Sequence, residues 1–119
     1  MMKWDTREPC GNCPYRKDAK LGLWDKGEFD NVMKQDADPI SGDIFGCHAT
    51  VKAAPVDRSV CAGWLLDQKR RGLPSIKLRL KLMKHEEAVD CLEQTTDGGH
   101  ELYDSIAEMV QANEDAGLW

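Results

Sequence analysis

The stretch Pro9-Cys10-Gly11-Asn12-Cys13-Pro14-Tyr15-Arg16 decides how the rest of the chain is read. Two residues between cysteines let one tight turn aim two sulfurs at a single cation while its backbone N–H groups face the thiolates. Proline, glycine and asparagine place this pair in a loop rather than a regular element. A second half-site must come from farther along, and Cys47 and Cys61, separated by 13 residues, are the candidates. A zinc ribbon would supply a second C-x-x-C there, so closure by all four thiolates is an inference. It is supported by Phe45-Gly46-Cys47 and Val60-Cys61-Ala62-Gly63, where small residues leave room for backbone near a metal. The competing reading is four unrelated buried cysteines, since free cysteine is among the most buried residue types.

His48 is the alternative fourth ligand, or a hydrogen-bond donor beside the site, because adjacent residues such as Cys47 and His48 rarely both reach one tetrahedral ion. Cys91 follows Ala88 and Val89 in an acidic helical segment and is read as a core residue. Four thiolates suit zinc or a 4Fe-4S cluster equally. Pro14 after Cys13 and the dispersed cysteines point toward a cluster; the wide occurrence of structural zinc sites favours zinc.

The bulk numbers agree with a stapled single domain over residues 1–119. A chain of 119 residues with 41% apolar content has the make-up of one ordinary globular unit, and at this size a metal adds usefully to a modest core. The expected class is α+β, predominantly helical and loop-rich. No apolar h-region opens the sequence and no run approaches the roughly 18 apolar residues of a membrane span, so a cytoplasmic protein is expected, with no membrane partner. Five cysteines cannot all pair within one chain, and in a reducing compartment thiols serve metals more often than disulfides.

Periodicity and caps predict the helices. Asp25 and Glu28 have capping-box spacing ahead of Phe29, Val32 and Met33, giving a helix over about 26–35. Ile44 and Phe45 read as a short extended segment running into Cys47. Ser59 is placed to cap a helix from about Val60, with Cys61 in its first turn and Trp64 and Leu65 on its apolar face. Gly72 and Pro74 end it. Ile76, Leu80 and Met83 form the apolar stripe of the next helix, and Ser105 with Glu108 caps a last one near 106–114.

The net charge of −5 is unevenly spread. Residues 67–85 hold Lys69, Arg70, Arg71, Lys77, Arg79, Lys81 and Lys84 against Asp67 alone, whereas residues 86–119 hold ten acidic groups and no Lys or Arg. The basic run could grip nucleic-acid phosphates, but an adjacent acidic tail would repel a nucleic acid or fold back onto the same surface. Trp4, Trp24 and Trp64 are expected in the core or around the metal rather than as a base-stacking platform.

Together Cys10-Gly-Asn-Cys13-Pro14-Tyr15-Arg16, Cys47-His48-Ala-Thr50, Cys61-Ala-Gly-Trp64-Leu65 and Leu102-Tyr103-Asp-Ser105 resemble an uncharacterised family of small bacterial and bacteriophage proteins. Its pattern is C-x-x-C-P-[WYF]-R, then C-H-x-T, C-x-G-W-L and L-Y-D-S. The resemblance spans residues 9 to about 113, groups Cys10, Cys13, Cys47, His48 and Cys61 as the signature set, and implies no activity. A zinc deaminase would need its H-x-E before the P-C-x-x-C, yet His85-Glu86-Glu87 comes after it. A thiol oxidoreductase would need a strand before Cys10, and none is legible. The expected function is therefore non-enzymatic: a structural metal domain that binds another macromolecule, with a protein as the favoured partner, in a phage or mobile-element setting. An iron-sulfur sensor and a nucleic-acid binder are the alternatives.

Overall fold

The computed structural model describes residues 3–22, 25–47 and 58–117. Five helices follow one another: α1 (Lys26–Ala37), α2 (Ala62–Arg70), α3 (Ile76–Lys84), α4 (Glu86–Gln94) and α5 (Ile106–Asp115). α3 packs on α4, α4 on α2, and α1 on α5. No helix among the described residues is long and apolar enough to cross a membrane.

Four of the helices begin on a side chain that accepts an otherwise orphaned N–H: Asp25 from Glu28, Cys61 from Trp64, Ser75 from Leu78 and Ser105 from Glu108. The caps of α1 and α5 stand where the sequence places them. That of α2 does not. Residues 58–61 are committed to extended pairing: Lys3 N–H donates to Arg58 O, Val60 N–H to Lys3 O, Cys47 N–H to Ser59 O and Cys61 N–H to Phe45 O. Ser59 is thereby held in a bridge with Lys3, and the cap passes to Cys61, the last residue of the pairing. The extended reading of Ile44 and Phe45 agrees with this ribbon. The β part of the expected α+β class amounts, among the described residues, to three isolated bridges, Lys3 with Ser59, Gly46 with Val60 and Arg16 with Leu102.

α2 ends where expected. Gly72 takes a positive φ of 81°, and Leu73 N–H reaches back to Gln68 O at 2.7 Å, closing the turn before Pro74. The buried Gln68 amide oxygen then accepts from Ser75 N–H at 3.0 Å, which fixes the start of α3.

The apolar stripe of α3 is not the expected one. Leu78 is fully buried, while Leu80 is 47% and Met83 81% exposed. Periodicity alone allowed either face of this alternating segment to turn inward, and packing against α4 selects Leu78, with Leu82 partly buried. α1 buries Phe29 and Val32 and leaves Met33 exposed; α5 buries Ile106 and Met109. Trp4 and Trp64 are core residues, and Trp24 lies outside the described residues.

Leu78→Ala should cost about 2–5 kcal/mol in urea unfolding, because it opens a cavity in a filled core. Leu80→Ala should change stability by no more than about 0.5 kcal/mol. Equal costs would mean that α3 is turned by a different angle.

Candidate metal centre

Four backbone devices deliver the four cysteines to one end of α2. The knuckle closes with Cys13 N–H on Cys10 O at 3.0 Å and continues with Arg16 N–H on Cys13 O at 3.0 Å. It is pinned from the far end of the chain by Tyr103 N–H on Tyr15 O and Lys17 N–H on Glu101 O, so Leu102 and Tyr103 brace the cysteine loop. The ribbon carries Cys47 and Cys61 on paired segments. Helix α2 then starts at Cys61, with its N-terminal N–H groups turned toward sulfur.

The thiols meet as two pairs. Cys47 Sγ lies 3.7 Å from Cys10 Sγ, and Cys61 hydrogen-bonds to Cys13. Each pair is within electrostatic reach of the other, Cys10 acting on Cys13 and Cys47 on Cys61. None of the five cysteines is in a disulfide. Among the described residues no three His, Cys, Asp or Glu side chains stand together as a group that could hold an ion, so the pairs adjoin without forming a closed tetrahedron.

Charge is distributed unequally over the buried pair. The Cys61 hydrogen bond holds the Cys13 thiol below its ordinary range, against the opposing effect of burial, with help from the Tyr15 and Gly63 N–H groups. Cys61 is pushed well above that range, first by the bond to Cys13 and then by burial, although Trp64 N–H at 3.4 Å favours its thiolate. N–H groups aimed at sulfur at a helix N-terminus favour negative charge there. Arg16, paired with Asp18 at 2.6 Å, also feels the charge of Cys13 and Cys10.

The Cys10–Cys47 contact alone has the length of one edge of a tetrahedral thiolate site; the four sulfurs as placed do not complete one. With metal–sulfur bonds of about 2.3 Å, the sulfur–sulfur edge of a tetrahedral site is about 3.8 Å, close to the 3.7 Å of Cys10 and Cys47. In a cubane each thiolate binds a different iron, which sets the sulfurs farther apart. His48 lies outside the described residues. Cys91 is fully buried and bonded elsewhere, to Thr6 O at 3.5 Å and beside the Thr95 hydroxyl at 3.7 Å, in keeping with a core role. His85 faces Glu87, its own neighbour in the H-x-E, at 3.5 Å.

Two residues matter more than their spacing announces. A Cβ at Gly63 would stand 2.7 Å from Cys13 Sγ and 2.8 Å from Tyr15 Cβ, so glycine is what lets α2 approach the knuckle. Tyr15 is buried beneath the cysteines, and its hydroxyl is, among the described residues, a buried side-chain oxygen without a hydrogen-bond partner. Burial, reinforced by the acidic groups nearby, keeps that hydroxyl protonated well above its ordinary range.

Gly63→Ala should destabilise the fold by about 1–3 kcal/mol through overpacking, whereas Gly11→Ala, with nothing within 4 Å of its new Cβ, should be near neutral. The comparison is read from urea midpoints, and equal midpoints would refute the close approach. Tyr15→Phe should raise stability, by about 1 kcal/mol, because it removes a buried hydroxyl that has no partner. A loss of stability in that variant would mean the hydroxyl is satisfied in solution.

No curated protein and no solved structure matches the chain. A model of a family of unknown function (DUF6283) matches residues 5–117, a span that holds all four cysteines and the Tyr103 brace. The chain belongs to that family of unknown function.

Proposed function

We propose that Cys10, Cys13, Cys47 and Cys61 hold one structural zinc ion, and that the domain so stabilised works by binding another protein, as a bacteriophage or mobile-element accessory factor. The observation that carries the metal reading is the 3.7 Å contact of Cys10 and Cys47 beside the Cys13–Cys61 bond at the N-terminus of α2. The zinc would bind the four sulfurs and add folding free energy; the chain's own part is to present thiolates, orient them through N–H groups and bury them from water. Structural zinc sites contribute about 10–16 kcal/mol apparent at neutral pH, comparable with or above the roughly 5–15 kcal/mol net stability of a domain.

The charge pattern supports a protein partner over a duplex. Arg70 and Arg71 pair with the buried Asp67, Arg71 also with Asp36, Arg79 donates to Leu73 O, and Lys77 pairs with Asp43. The acidic tail plays no part in this: among the described residues no Lys or Arg of 67–85 forms an ion pair with residues 86–117. In place of the expected fold-back of tail onto basic segment, the partners are Asp36, Asp43 and Asp67. What remains for phosphates is a few lysines, a small footprint for duplex binding.

Protein purified without oxygen should carry one zinc per chain and no visible charge-transfer absorption. A chelator should collapse the near-ultraviolet dichroism of the tryptophans, and occupancy should fall as pH drops, since protons compete for the thiolates. Serine at any of the four positions should lower zinc stoichiometry, and Cys91→Ser should not. A brown, iron-containing protein, or full dichroism after metal removal, would reject the reading.

A further inference from the structure

Lys77, Leu80, Lys81 and Lys84 recur at i, i+3, i+4 and i+7 and so share one face of α3. With Asp43 and Ile44 they line a groove of about 550 Å³. Ile44, packed against the core, and the exposed Leu80 supply its apolar floor. The Lys77–Asp43 pair at 2.6 Å neutralises one part of the rim, while no ion pair among the described residues engages Lys81 or Lys84. Met83, almost wholly exposed, extends the apolar surface of the same helix. α3 thus keeps Leu78 for the core and offers a second, outward face that is both apolar and cationic.

We propose that this groove is the docking site for an acidic amphipathic helix of a partner protein. The inference rests on the protein-interaction reading above and names its surface. A helix laid in a groove anchors apolar side chains at i, i+3 or i+4 and i+7. Ile44 and Leu80 accept such anchors, and Lys81 and Lys84 face carboxylates flanking them, which steer association and fix register. Charge complementarity selects this occupant over nucleic acid: a duplex brings phosphates but nothing to cover Leu80 and Met83. Arg70, Arg71, Lys77 and Arg79 of the basic segment are already bonded to Asp36, Asp43, Asp67 and Leu73 O.

The test uses the full zinc-loaded chain at about 150 mM salt, where surface attraction is screened beyond roughly 8 Å. Probes are three fluorescent peptides of about 18 residues, roughly five helical turns. They are built from Glu, Ala and Leu, and differ in leucine register. A Gln-for-Glu version of each and a duplex DNA serve as comparisons. At least one acidic peptide should bind at micromolar concentration and shift the amide resonances of Ile44 and Leu80. Leu80→Glu, or Lys81→Glu with Lys84→Glu, should weaken it at least tenfold, Lys34→Glu on α1 should not, and the Gln version should bind at least tenfold more weakly. Absence of saturable binding by all three acidic peptides would overturn the proposal. So would unchanged affinity in the groove variants, or duplex binding that is tighter and is lost in the lysine variants. Zinc is measured on every sample: one zinc per chain without peptide binding rejects the groove alone, whereas a chain that folds without zinc rejects the metal reading instead.

Discussion

Cys61 carries two obligations at once, and the rest of the molecule is arranged around them. Its N–H donates to Phe45 O, closing the ribbon that also holds Cys47, and its sulfur accepts from Trp64 N–H, opening α2. An extended segment must become a helix within one residue, and the group that makes the change possible is a thiol already bonded to Cys13. A serine there could cap the helix equally well. It could not match sulfur as a soft ligand, which is why the proposed zinc needs a cysteine at this cap.

From that point the structure spreads outward in both directions of the chain. Gly63, the second residue of α2, brings the helix against Cys13 and Tyr15. Trp64 meets Phe45 edge to face, with ring centroids 5.8 Å apart, so the ribbon and the helix that share Cys61 are also packed on each other. At the far end of α2, Asp67 is bound by Arg70 and Arg71, and Arg71 reaches Asp36 at the end of α1. The late Leu102-Tyr103 word pairs with the knuckle, and Thr96 N–H bonds to Arg7 O just before it. The knuckle, Cys47, the start of α2 and Leu102-Tyr103, far apart in sequence, are thus brought to one region of the fold.

Much of this was legible in the sequence. The C-x-x-C knuckle, the caps at Asp25 and Ser105 and the Gly72–Pro74 stop are local features, where side-chain chemistry and backbone preference act within a few residues. The failures have a common cause. Ser59 has the right chemistry for a cap, but pairing with Lys3, 56 positions away, holds it extended. Leu78 and Leu80 are equally apolar, and only the neighbour α4 decides which is buried. Two partners of the basic segment are likewise non-local: charge counting pointed to the acidic tail, whereas Asp36 and Asp43 precede the segment, and only Asp67 lies within it. The small residues of Cys61-Ala62-Gly63 did announce a close approach, though not that Cys13 and Tyr15 are what approach.

The central claim is the proposed zinc at Cys10, Cys13, Cys47 and Cys61, and X-ray absorption at the zinc edge on the purified full chain addresses it most directly. The account predicts four sulfur scatterers at about 2.3 Å and no light-atom ligand. A first sphere containing nitrogen or oxygen in place of a sulfur, or an iron edge with metal–metal scattering, would contradict it.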